Sequence, residues 1–245
     1  LDTTGEAEQL DAKEEGPGYT CYGGPGTSLT GSLNPSNLSS LLSIGASLGG
    51  WAPGTRPHHL PDGVGMFLDK RAKIVMQVHY YTNLNTDPDQ TRIGLYYSQK
   101  KVDRRLLYVP LVQTNLNIQP NVRDYTANFN FTVPLFLDFK VINIFPHMHL
   151  LGTEIQVEAI RNRQTVPMIK IDKWDFNWQG PYNYVNSVDI PAFTQLRLTC
   201  KYDNTTNNPR NPSNPPKLVR WGEGTEDEMC LAFLGITLNN ENLLR

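Results

Sequence analysis

From residue 64 onward the chain is a series of short β-branched or aromatic runs, each closed by polar turn residues, and this cadence constrains the fold more than any other feature. The runs are Lys73–Tyr81, Ile93–Tyr97, Leu106–Val112, Tyr125–Val133, Phe139–Phe145, Glu154–Ile160, Val166–Ile171, Leu196–Tyr202 and Glu228–Thr237. Arg161-Asn162-Arg163-Gln164-Thr165, between two of them, is a hairpin signal. No helix of normal length is expected in the second half. Strands at short intervals with polar turns predict an all-β sandwich or jelly roll rather than a βαβ fold.

The first fifty residues carry little periodicity. Gly16-Pro17-Gly18 and Gly23-Gly24-Pro25-Gly26 are turn chemistry, and the segment from Asn37 to Ile44 reads as a short helix or a loop. A chain of 245 residues suits one large β domain or two smaller ones. The polar stretch Gln113–Arg123, which contains Pro120, separates two strand-rich blocks. The expected domains are therefore 1–117 and 118–245. Residues 203–220, rich in proline and asparagine, form a long loop of the kind that is often functional or mobile.

Charge and hydropathy exclude some partners. A net charge of -2 makes no case for nucleic acid or an anionic membrane surface. No run approaches the ~20 apolar residues of a membrane span. The start, Leu1-Asp2-Thr3-Thr4, has no initiator Met and no signal-peptide pattern. A processed product or a fragment is expected, with any export signal in the missing part. The Asn-, Thr-, Pro- and Tyr-rich, Lys-poor composition fits an exported protein, secreted or periplasmic.

The chemistry concentrates in His147-Met148-His149. Two histidines one residue apart on an extended segment face the same side and can grip one metal ion, while Met148 points the other way. Hydrogen-bonded structural histidines are the plain alternative. A third ligand must come from elsewhere, and the thioether of Met229 would favour copper, since sulfur suits Cu(I) and imidazole tolerates both oxidation states. Met229 taken alone reads as core filling. Three cysteines, Cys21, Cys200 and Cys230, allow at most one internal bridge, and three reduced buried thiols are the alternative. A Cys200–Cys230 bridge would pin the strand carrying Met229, leaving Cys21 unpaired. His79 sits mid-run and reads as structural. His58 and His59, neighbours in a proline-bounded loop, make a poor chelating pair. Hydrolase, P-loop, dinucleotide and zinc-protease motifs are missing.

Phe145-Pro146-His147-Met148-His149-Leu150-Leu151-Gly152 resembles the His-x-His-x-x-Gly signature of the copper type II, ascorbate-dependent monooxygenases, such as the peptidylglycine α-hydroxylating and dopamine β-monooxygenases. Asp227-Glu228-Met229-Cys230 resembles the segment carrying that copper's methionine ligand, and Ile74–Tyr80 the strand bringing one histidine to a second copper. Gly18-Tyr19-Thr20-Cys21 and Arg220-Trp221-Gly222-Glu223 are similar to bacterial members.

The resemblance implies two jelly-roll domains, with the N-terminal one incomplete. His147, His149 and Met229 would hold the catalytic copper. His79 would serve the electron-transfer copper, whose His-His pair has no match here, so efficient turnover is not expected of this chain. Ascorbate or another one-electron reductant and O2 would be co-reactants. The peptide-amidating branch has Arg and Tyr where this chain has Phe145 and Phe233. That exchange implies a small apolar or aromatic substrate rather than a carboxylate-terminated one. Two rivals stand beside the enzyme: a jelly-roll module binding glycans or peptides, and a mononuclear copper protein.

Overall fold

The computed structural model describes residues 1–21, 47–52, 55, 57, 59–80, 88 and 90–241. It contains one short helix, α1 (Glu6–Asp11), and strands β1 (Val64–Gly65), β2 (Arg104–Arg105), β3 (Leu107–Val112), β4 (Asn117–Ile118), β5 (Arg123–Thr132), β6 (Phe139–His147), β7 (Gly152–Arg161), β8 (Gln164–Ile171), β9 (Tyr182–Ile190), β10 (Gln195–Asp203), β11 (Val219–Arg220) and β12 (Leu231–Leu238). The fold is all-β, as the alternation predicts.

Two four-stranded antiparallel sheets form the body, ordered β5-β10-β7-β8 and β3-β12-β6-β9. Consecutive strands repeatedly change sheet, so each sheet is assembled from distant parts of the chain. The alternating residues of β10 show why it forms: Leu196, Leu198, Cys200 and Tyr202 are buried, and the residues between them are half-exposed. They pack with Ile155 and Val157 of β7 against Ile144 of β6 and Leu234 of β12, all essentially inaccessible to water. Each such side chain contributes about 1.5–3 kcal/mol by leaving solvent. Gly235 lies opposite Asn143, where a Cβ would collide with the asparagine side chain.

β3 lies before the division expected at 117/118, yet it is hydrogen-bonded to β12 within this sandwich. The proline- and asparagine-rich loop is anchored by Asn204, which is fully buried and donates to the carbonyls of Ile118, Gln119 and Lys217.

Three elements differ from the sequence pattern. The described residues of Lys73–Tyr81 and of Ile93–Tyr97 form no strand beyond a single bridge from Lys73 to Asp2. Ile74, Met76, Val78 and Tyr80 instead expose their side chains at a two-residue spacing. Their composition suits a pleated surface, but a strand also needs a backbone neighbour, and no described strand lies alongside. Conversely, β9 does not stand out in the sequence. It is an edge strand with mostly exposed residues, so it lacks the apolar alternation that marks the others.

Candidate metal centre

His147 is the last residue of β6, paired with Leu231 at the start of β12. β6 and β12 are the two central strands of their sheet. Past His147 the alternation continues for two residues. Met148 turns inward and is fully buried in the core. His147 and His149 remain on the other side, with ring centroids 5.0 Å apart and planes at 83°. Gly152 makes this packing possible, because a Cβ there would fall 2.7 Å from Met148 Cε and 2.9 Å from Trp174 Cδ1. Trp174 in turn donates its Nε1–H to the His149 carbonyl at 3.1 Å.

Both imidazoles are held by Nδ1. His149 Nδ1–H donates to the Asp227 carbonyl at 3.0 Å. His147 Nδ1–H donates to Gln179 Oε1 at 2.5 Å. The Gln179 amide is oriented by its own Nε2–H, which donates to the Phe176 carbonyl at 2.7 Å. Phe176 places its ring edge-on to His149, 5.9 Å between centroids. An oxygen acceptor at each Nδ1 puts the proton there and leaves each Nε2 as a free lone pair. Burial pushes His147 down to about 4, the neighbouring His149 adding to the shift and Gln179 opposing it. His149 is lowered too, chiefly by burial. Both rings are therefore neutral, the form that binds metal.

Met229 is half-buried in the segment leading into β12, and its backbone is held at both its N–H and its carbonyl. Its N–H donates to Glu228 Oε2 at 3.2 Å, and its carbonyl accepts the Tyr202 hydroxyl at 2.8 Å. Next to it, Cys230 forms a disulfide with Cys200 of β10, joining the two sheets. Cys21 is a free, partly buried thiol.

Glu228 is fully buried. Its carboxylate accepts the N–H groups of His149 at 2.9 Å and Leu151 at 2.6 Å, besides that of Met229. Burial pushes its carboxyl up to about 8, against the opposing effect of these amides.

His79 is exposed, and it lies within electrostatic reach of His147 and His149, as a minor contributor to the lowering of both. Two residues earlier, Gln77 Nε2–H donates to Glu223 at 3.5 Å, bringing this segment to the loop before Met229. His59 is exposed, and His58 lies outside the described residues. Phe145 and Phe233 are partners across β6 and β12. Among the described residues, no three His, Cys, Asp or Glu side chains converge; Met229 is the third donor that the sequence pattern offers beside the two imidazoles. Two neutral imidazoles with a thioether are a donor set suited to copper.

The family model described as copper type II ascorbate-dependent monooxygenase, C-terminal domain, matches residues 112–236, about half of the chain. The chain belongs to the copper type II ascorbate-dependent monooxygenase family. The match runs from the end of β3 into β12, and so takes in the His147–Gly152 and Asp227–Cys230 segments. DBH-like monooxygenase protein 2 of Homo sapiens, itself named for its likeness to other monooxygenases, is 25% identical over 215 residues. That alignment covers 81% of this chain and 40% of the human protein, so the chain spans about two fifths of that relative's length. Among solved structures, dimeric latent PorU from Porphyromonas gingivalis aligns with a TM-score of 0.23 and 8% identity, over 59% of this chain and 14% of that one. At that score no argument rests on the likeness.

The sequence singled out His147, His149 and Met229 but not Gln179, Trp174, Phe176 or the role of Glu228. Gln179 and Phe176 lie in an irregular loop with no periodic signal. Glu228 stands in plain view beside Met229, but its burial follows only from the meeting of two distant segments.

Proposed function

We propose that the chain is the catalytic-copper part of a copper-dependent monooxygenase. The observation that carries this reading is the pair of neutral imidazoles, each donating its Nδ1–H to an oxygen acceptor, inside the region matched by the family. His147, His149 and Met229 would be the ligands. Bound copper would supply the redox chemistry, in which a substrate C–H, O2, two electrons and two protons give the hydroxylated product and water. The chain's own part is to hold the rings neutral and oriented, to fix the Met229 backbone, and to present Phe145 and Phe233 beside His147. Two phenylalanines offer no cation or hydroxyl, which supports a small apolar or aromatic substrate. Ascorbate or a similar one-electron donor would be the reductant. His79 is assigned to the side of a second copper.

The alternating wiring of the two sheets supports reading the sandwich as a jelly roll. A domain division near 117/118 is retained as part of this reading, with β3 crossing into the C-terminal sandwich. The Cys200–Cys230 disulfide supports an exported location.

Copper titration of the chain tests the assignment. One tightly held copper is expected. It should be lost in the double variant His147→Ala/His149→Ala and kept in His79→Ala. Undiminished tight binding in the double variant would show that the copper sits elsewhere.

A further inference from the structure

We propose that Glu228 is the positioning residue of this metal centre: its buried carboxylate ties the segment carrying His149 to the segment carrying Met229, so that imidazole and thioether are set as one unit. The inference rests on the ligand reading given above. One oxygen, Oε2, accepts the backbone N–H of His149 at 2.9 Å and that of Met229 at 3.2 Å. The other, Oε1, accepts the N–H of Leu151 at 2.6 Å. A single side chain thus bridges the backbones of two assigned ligands far apart in sequence.

The position of this bridge explains the need for it. The ladder between β6 and β12 ends at the pair His147 and Leu231. His149 lies beyond the end of β6, and Met229 lies before the start of β12. No strand hydrogen bonds fix the spacing of these two residues. The Glu228 carboxylate takes over where the ladder stops, while Tyr202 and the Cys200–Cys230 bridge hold Met229 from the opposite side. Both oxygens of the Glu228 side chain can accept, the hydroxyl oxygen of the protonated acid included, and neither carries an N–H to repel the amides. Glutamine of the same size would turn an NH2 toward at least one amide donor, and aspartate is one methylene too short to span both segments. Glu228 donates no ligand atom and touches no substrate in this reading, so it acts through the residues it holds.

The test uses Glu228→Gln, with Glu228→Asp carrying the same readouts if the glutamine variant does not fold. In metal-free protein, amide hydrogen exchange at His149, Leu151 and Met229 is expected to quicken together, while amides within β6, β10 and β12 keep their protection. In copper-loaded protein, Cu(I) affinity should fall by about tenfold or more, with Cu(II) affinity nearly unchanged. The copper–sulfur signal in X-ray absorption should weaken toward that of Met229→Leu. Unchanged exchange at the three amides overturns the proposal. Faster exchange with an intact copper–sulfur signal also overturns it, since the clamp would then not set the thioether. If the wild-type Cu(I) protein shows no sulfur ligand while exchange changes as expected, the Met229 assignment falls and the tie between the segments stands.

Discussion

Phe145 of β6 and Phe233 of β12 are register partners across the central strand pair, both half-buried on the face that carries His147. They arise 88 positions apart in the sequence and meet two residues from the first imidazole. The pairing turns two separate departures from the peptide-amidating pattern into one apolar patch. The double variant Phe145→Arg/Phe233→Tyr should therefore gain affinity for carboxylate-bearing substrates. A charge-assisted hydrogen bond of about 1.5–3 kcal/mol corresponds to about tenfold or more in kcat/KM for an acidic compound over its neutral analogue. A variant with unchanged preference would show that this patch does not meet substrate.

Met229→Ala should weaken Cu(I) far more than Cu(II), because only the softer ion gains from a thioether. Parallel titrations of both oxidation states measure the difference. Equal losses would remove Met229 from the ligand set.

Gln179→Ala frees His147 Nδ1 and lets the ring rotate and change tautomer. Loss of such an outer hydrogen bond costs about 10–100-fold in metal affinity. The fold should be unaffected, because Gln179 lies in a loop outside the core cluster. Competition with a chelator for copper reads the affinity, and thermal unfolding checks the fold.

In the metal-free protein, His147 opposes folding as pH falls. Its folded value is about 4, below the 6.5 of a free imidazole. The unfolded chain therefore binds more protons between these limits, and the stability that His147 permits is complete above pH 6.5 and lost as pH falls through about 4. Glu228 works in the other direction, because its carboxyl is raised from 4.5 to about 8 and its contribution fades as pH rises through that window. The difference in urea midpoint between wild type and His147→Gln isolates the histidine. That difference should move against the wild type as pH drops from 6.5 toward 4.

Breaking the Cys200–Cys230 bridge by Cys200→Ala/Cys230→Ala should cost about 2–4 kcal/mol of unfolding free energy. Because Met229 adjoins Cys230, the same variant should lose Cu(I) affinity. Denaturant melts paired with Cu(I) titration separate the two effects.

Much of the sandwich was legible because β6, β7, β10 and β12 carry the alternation or continuous apolar character of strands facing a core. The signal failed where pairing, rather than propensity, decides. Ile74–Tyr80 has the composition of a strand without a described neighbour, and β9 has a neighbour without that composition. The same division runs through the site. His147 and His149 could be paired from their spacing alone. Gln179 and the Glu228 bridge depend on tertiary approach, which spacing does not encode.

The placement of the proposed ligands at the adjoining ends of neighbouring central strands would also set the timing of metal uptake. During synthesis His147 and His149 leave the ribosome well before Met229, and β12, which follows Met229, is the last of the described strands to emerge. Until then this site offers only its pair of imidazoles, His147 and His149, on an unfinished sheet edge. On the proposed ligand assignment the complete donor set would exist only after β12 has docked, so copper loading would record that this sheet had been assembled.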